Sequence, residues 1–221
     1  MTRKLYLQSD NLSMVATVIS SVPDEEGRFR TCLAETLFHP QGGGQPYDVG
    51  HIGTAVVLGV FLENDEIVHI TDQQLPCGEY RIEVDADKRQ INTRMHSAGH
   101  LIAVVGERIG WNAIKGNHRP GEGRIVFEPG TTDITPPEVQ DVSDNVNKLV
   151  AQALPREQQI TDGIRRITWG DLSLYACGGT HVLRTDLVGE ILISGIKFRK
   201  GQLSVSYELA HPAPLNAVPV S

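Results

Sequence analysis

The 221-residue chain is poor in the features that define several protein classes. It has three cysteines, Cys32, Cys77 and Cys177, widely spaced and odd in number. Such a set builds no disulfide framework and fits a reducing compartment. Aromatic residues make up 5% of the chain, too few for extensive stacking on unpaired bases. The longest apolar run, residues 55–62, is interrupted by Gly59, whereas a membrane helix needs about 20 residues. The N-terminal Leu5-Tyr6-Leu7 is too brief for the apolar centre of a signal peptide. No Gly-Lys-Ser/Thr follows the glycines at 42–44, so neither a P-loop nor a nucleotide cofactor is expected. Basic charge is also short, with a formal net charge of -7. That deficit is local: residues 1–86 carry 5 Lys and Arg against 13 Asp and Glu, and residues 87–221 carry 15 against 14. The acidity belongs to the first part and leaves room for a basic patch in the second. A globular cytoplasmic protein without a membrane segment is the expectation.

The first 86 residues read as short strands, over 14–20, 29–38, 53–62, 66–71 and 79–84, with turn residues between them. That spacing suggests a small antiparallel barrel or sandwich. The pattern changes at 85–87. Asp87 is the predicted N-cap of a helix on which Ile91, Met95, Ala98, Ile102, Val105 and Ile109 recur at steps of three or four, with Gly110 as its stop. Thr135-Pro136-Pro137-Glu138 has the form of a capping box with Pro at the first helical position. Val139, Val142, Val146, Leu149 and Ala153 make the stripe of that second helix, and Pro155 ends it. Strands follow over 164–169, 190–198 and 203–209. The expected class is α+β, with a strand-rich domain at 1–86 and helices on an antiparallel sheet at 87–221.

Two motifs carry chemistry. His96 and His100 stand four apart on the first helix, so both imidazoles reach one point beside it. Cys177-Gly178-Gly179-Thr180-His181 puts a thiol and an imidazole on one tight loop. Three imidazoles and a thiolate form a borderline-soft set suited to zinc, one ion per chain. Other zinc enzymes fit poorly. Ser97 stands where a metalloprotease helix has its Glu, and the deaminase signature is missing.

The glycine-rich segment around Gly43-Gly44-Gln45, then His-Ser-Ala-Gly-His, then Cys-Gly-Gly-Thr-His, in this order, resembles the AlaX family, relatives of the alanyl-tRNA synthetase editing domain. The resemblance runs from about residue 38 to 209 and is to the medium-sized class, with its glycine-rich N-terminal domain. It implies an N-terminal β-barrel followed by an α+β editing domain. It implies zinc at His96, His100, Cys177 and His181, and an editing pocket beside Gly43, Gly44 and Gln45. The implied activity is trans-acting hydrolysis of the aminoacyl ester on mischarged alanine tRNA, carrying serine or, as a second substrate, glycine. Ser97 and Thr180, the hydroxyl residues inside the two motifs, are the expected partners of the serine side chain. Residues 115–120 look like the family loop near the pocket, with His118 as the candidate catalytic group. Lys115, Arg119, Arg124, Lys197, Arg199 and Lys200 are the candidate contacts to tRNA phosphates. Two other readings compete with this one: a hydrolase for another mischarged tRNA or amino-acid ester, and a non-catalytic zinc module that binds tRNA or an amino acid.

Overall fold

The computed structural model describes residues 1–131, 134–162 and 164–210; the last eleven residues of the expected second domain lie outside them. Packing divides the chain into two units, Met1–Gly42 with Pro46–Gln90, and Gly43–Gln45 with Ile91–Ser221. The division falls inside the first helix, four residues past the expected boundary. The tip of the glycine-rich segment, expected in the first domain, goes with the second unit.

In the first unit, β1 (Arg3–Lys4) pairs in parallel with β4 (Glu35–Thr36). The main strands are β2 (Ser13–Pro23), β3 (Phe29–Leu33), β5 (Gly50–Ile52), β6 (Ala55–Glu63), β7 (Glu66–Thr71) and β8 (Gly78–Val84). Their antiparallel pairings run β2-β3-β7-β6-β5-β8 and return to β2, so the ring closes. Alternation sets which side chains point inward: Ala16 and Val18 of β2 are buried, while Val15 and Ile19 are exposed. Leu33, Ile52, Val57, Val60, Ile67 and Ile82 fill the same interior. Two polar devices sit among them. His69 is fully enclosed, with Nδ1 3.2 Å from the Thr31 carbonyl oxygen and Nε2 2.9 Å from Thr36 Oγ1. Asp48 accepts the His39 N–H at 2.6 Å and pairs with the buried Arg89, which also donates to the Leu37 carbonyl at 2.6 Å. Arg89 lies in the opening turns of α1 (Ala86–Arg108), which is why that stretch belongs to this unit. The cap of α1 is Asp85, not Asp87: Asp85 Oδ1 accepts the Lys88 N–H at 2.9 Å.

In the second unit the expected apolar stripe of α1 is buried from Met95 to Val105, but so are Leu101, Ala103 and Val104 on its flanks. Ile109 falls beyond the helix and is exposed. α2 spans Val139–Ala151 and buries Val142, Val146 and Leu149. The capping box is not formed. The helix starts at Val139 with Glu138 as N-cap and no side-chain bond, and Val139 is left exposed. Ala153 adopts a φ of 51° past the helix end.

A four-stranded sheet of β14 (Ile191–Arg199), β15 (Gln202–Leu209), β10 (Arg124–Pro129) and β9 (Trp111–Asn117) shares the core with both helices through Phe127, Leu203, Val205 and Tyr207. Asn147 of α2 fastens that helix to β14, exchanging two hydrogen bonds with the Ile191 backbone at 2.9 and 3.0 Å. A smaller sheet joins β11 (Arg156–Thr161), β12 (Ile164–Trp169) and β13 (Tyr175–Ala176). The chain is thus mixed α+β, and no helix among the described residues is long and apolar enough to cross a membrane.

Two outcomes follow for the first unit. Asp48→Ala leaves Arg89 buried without its carboxylate and should cost about 3–5 kcal/mol in denaturant unfolding, against under about 1 for Arg81→Ala at the surface. Burial pushes the His69 pKa down to about 4 from 6.5. Above 6.5 its neutral form costs nothing. As pH falls from 6.5 toward 4 the unfolded chain takes up a proton that the folded one refuses, so stability drops by at most about 1.4 kcal/mol per pH unit. Imidazole NMR should show His69 untitrated at pH 5.5.

Candidate metal centre

Helix spacing puts His96 and His100 on one side of α1, with ring centroids 5.1 Å apart and planes 14° from parallel. Loop 177–181 follows β13 and returns to the same place. His181 lies 4.7 Å from the ring of His96 and 4.9 Å from that of His100. One donor atom each from His96, His100, Cys177 and His181 falls within 4.8 Å of all the others. Cys177 Sγ is 3.3 Å from His96 Nε2.

These groups favour a cation over protons. Burial pushes the His100 pKa down to about 3 and holds His181 well below the ordinary value, so both imidazoles keep their lone pairs at neutral pH. Burial raises the Cys177 thiol, while the Gly179 N–H and the Arg165 guanidinium work in the other direction. Both ring nitrogens of His181 are buried without a hydrogen-bond partner among the described residues. An imidazole so placed loses its water and gains nothing unless a ligand occupies the space it faces. The donor set therefore fits a metal ion.

Gln45 closes the cluster from the glycine-rich segment. Its Oε1 accepts the His96 Nδ1–H at 2.6 Å and the Thr180 N–H at 3.0 Å, and its Nε2 donates to Thr180 Oγ1 at 2.9 Å. The proton of His96 is thereby held on Nδ1, which turns the Nε2 lone pair toward Cys177 Sγ. Two glycines make the approach feasible. Gly44 has a φ of 79°, and a Cβ there would stand 2.4 Å from the Gly116 carbonyl oxygen. At Gly179 a Cβ would stand 2.0 Å from His96 Cε1. Gly43, expected to make a close approach, makes none: a Cβ there meets nothing within 4 Å, and its need is a φ of 57°.

His118 stacks on His96 at 4.4 Å and 13°. Tyr207 donates its hydroxyl proton to the Met95 carbonyl at 2.9 Å, so its oxygen accepts from His118 Nδ1 at 2.7 Å and His118 Nε2 keeps its lone pair. The expected loop 115–120 is in part strand, since Lys115 to Asn117 end β9.

The two expected hydroxyls differ. Ser97 is fully buried, donating to the Thr93 carbonyl at 2.8 Å and accepting the Val182 N–H at 3.0 Å. It fastens the ligand loop to the helix and presents nothing outward, because its one proton is spent. Thr180 pairs instead with Thr93 across 2.6 Å. Thr93 escaped the sequence reading, although it precedes His96 by three on the helix, a spacing that puts both on one face. The candidate phosphate contacts are all exposed. Strand register aligns Lys197, Ser204, Val126 and Lys115 in one row across the sheet, with Arg124 beside Ser206 on that same outer face. Arg119, Arg199 and Lys200 lie in or beside the connecting turns, and Arg119 faces Glu122 at 3.9 Å.

No family model matches the chain. Curated relatives match up to 87% of its length. The chain is 28% identical to the alanine–tRNA ligase of Halorubrum lacusprofundi over 87% of its own length but only 24% of the ligase. It is 29% identical over 70% of its length to the mouse alanyl-tRNA editing protein Aarsd1, covering 42% of that protein. With the alanyl-tRNA editing protein AlaX-M of Pyrococcus horikoshii it shares 30% identity over 86% of its own length and 89% of the relative. A match of that identity and near-complete mutual coverage means that the chain belongs to the AlaX family of alanyl-tRNA editing proteins.

Proposed function

We propose that this protein edits mischarged alanine tRNA in trans, hydrolysing the ester that joins serine, and secondarily glycine, to the terminal ribose. The convergence of His96, His100, Cys177 and His181 carries this reading, together with relatives named as alanyl-tRNA editing proteins. The closed ring of strands is, in this reading, the N-terminal barrel of the family, and residues after it form the zinc-containing editing domain. Free cysteines throughout fit a cytoplasmic site of action.

Zinc is the metal that three imidazoles and one thiolate suit best, and when bound it supplies Lewis acidity beside the scissile ester. His96, His100, Cys177 and His181 would hold the ion, and we assign the orientation of water or of a ribose hydroxyl to His118. Its Nε2 lone pair is fixed outward by the Tyr207–Met95 chain. Exposed Lys115, Arg124, Lys197 and Arg199 lie on or at the margin of one sheet face and suit a phosphate backbone, with Arg119 and Lys200 in the adjoining turns.

Serine differs from alanine by one hydroxyl, which an apolar synthetic pocket rejects poorly and a second, polar site detects. Thr93 and Thr180 are suited to detect it. They hold two hydroxyl protons between them, and one hydrogen bond joins them, so one proton is unspent. Thr93 is half-buried, Thr180 buried.

Purified chain should hold about one zinc per chain by metal analysis. Chelation should remove roughly 4 kcal/mol of stability at free zinc near a thousandfold its Kd. His181→Ala should abolish both the zinc and release of serine from charged alanine tRNA; a zinc-free chain with full activity overturns the reading. In single-turnover assays, Thr93→Val should cut the preference for serine over alanine by about tenfold, near 1.4 kcal/mol. Ser97→Ala should leave that preference intact while costing about 1–3 kcal/mol of stability, because the Val182 N–H loses its acceptor.

A further inference from the structure

The ligand loop is gripped from strands β11 and β12 by two arginines that no motif announces. Arg165 of β12 is buried, and its Nη1 donates to the carbonyls of both Cys177 and Gly179 at 3.0 Å. Its own backbone carbonyl accepts the Cys177 N–H at 3.1 Å, so strand and side chain hold the same residue. Gln158 Oε1 on β11 supports the guanidinium at Nε, 3.3 Å away. On the paired strand, Arg156 Nη1 donates to the His181 carbonyl at 2.6 Å. Alternate carbonyls of the loop, at 177, 179 and 181, are thus drawn toward the β11–β12 hairpin. That leaves the Gly179 N–H directed to Cys177 Sγ at 3.5 Å.

A loop containing two consecutive glycines has high conformational entropy when free, and it must present two metal donors in fixed directions. A side chain that spans two of its carbonyls limits that freedom. A rigid guanidinium held at Nε by Gln158 directs its Nη1 in a way an ammonium on a flexible stem does not reproduce. We propose that Arg165 is a positioning residue for the metal centre: it holds loop 177–181 in the ligating shape and sets how tightly Cys177 and His181 grip zinc. The inference rests on the zinc reading above and adds to it a residue outside the donor set. Arg156 acts beside it at the His181 end.

The test measures zinc affinity in the full chain by competition with a chromogenic chelator, for wild type, Arg165→Gln and Arg165→Lys. Removing a partner one step behind the ligands costs about 10–100-fold in metal affinity. That loss is expected for Arg165→Gln, with Arg165→Lys recovering only part of it, because an ammonium has no second nitrogen for Gln158 to hold in place and so no fixed direction. Thermal unfolding with and without zinc separates positioning from simple stabilisation: the increment that zinc adds should shrink in the variants. Peptide-resolved alkylation should show Cys177 reacting at least about tenfold faster in zinc-loaded Arg165→Gln than in zinc-loaded wild type, as its grip loosens. If Arg165→Gln does not fold, Arg165→Lys decides by the same three readouts. Unchanged affinity, or an equal loss of stability in the zinc-free and zinc-loaded forms, overturns the assignment. A wild-type chain that takes up no zinc overturns the metal reading itself, and this one with it.

Discussion

Three imidazoles and a thiol must share a space from which water has been removed, and the arrangement of the second unit answers that demand. Bringing three imidazoles within 5.1 Å of one another gains nothing by itself. Each ring loses hydration, and the ring nitrogens of His181 have no hydrogen-bond partner among the described residues. Neighbours that hold His96 and the backbone of the ligand loop make the cluster tenable. Gln45 takes the Nδ1 proton of His96, and the arginines of β11 and β12 take the loop carbonyls. Each partner fixes an orientation from outside the cluster, which is how a metal site is held ready before an ion arrives.

The part of this that was legible in the sequence is the part governed by periodicity. Helix geometry alone made His96 and His100 neighbours, and two glycines between Cys177 and His181 marked a tight loop. Strand alternation likewise located 66–71 and 164–169 at their observed limits. β9 and β11 were missed for a physical reason. Trp111–Asn117 contains a glycine and pairs through a bulge, and Arg156–Thr161 is largely polar and exposed, so neither shows an apolar alternation. Asp85 caps the first helix although Asp87 looked equally suitable, because the choice rests on which carboxylate faces the Lys88 N–H. Partners such as Arg165 and Tyr207 belong to elements far from the motifs, and only tertiary packing assigns them.

Ser97 and Thr180 show why a residue's place in a motif does not fix its task. Both carry hydroxyls within the metal motifs, yet Ser97 spends its proton on the Thr93 carbonyl and a lone pair on the Val182 N–H. Thr180 shares its contact with a second hydroxyl. Counting protons, rather than hydroxyls, identifies the pair with one donor left to offer. The same count applied to His118 and Tyr207 leaves one acceptor, His118 Nε2. One uncommitted donor and one uncommitted acceptor therefore flank His96, on Thr93 or Thr180 and on His118.

The charge near the centre has a consistent sign. None of the four donors is a carboxylate, and the charged side chains that bond the ligand loop are the guanidiniums of Arg156 and Arg165. Burial lowers the His181 pKa and both guanidiniums add to that, while Arg165 opposes the rise that burial imposes on Cys177. An ester under attack accumulates negative charge on its carbonyl oxygen, and fixed positive charge in a dry site stabilises that change most. The acid-rich composition of residues 1–86 contrasts with the near balance of residues 87–221. A polyanion would be repelled by the former and tolerated by the latter. Net charge concealed this, because a chain at -7 can still hold a centre whose local groups are neutral or positive.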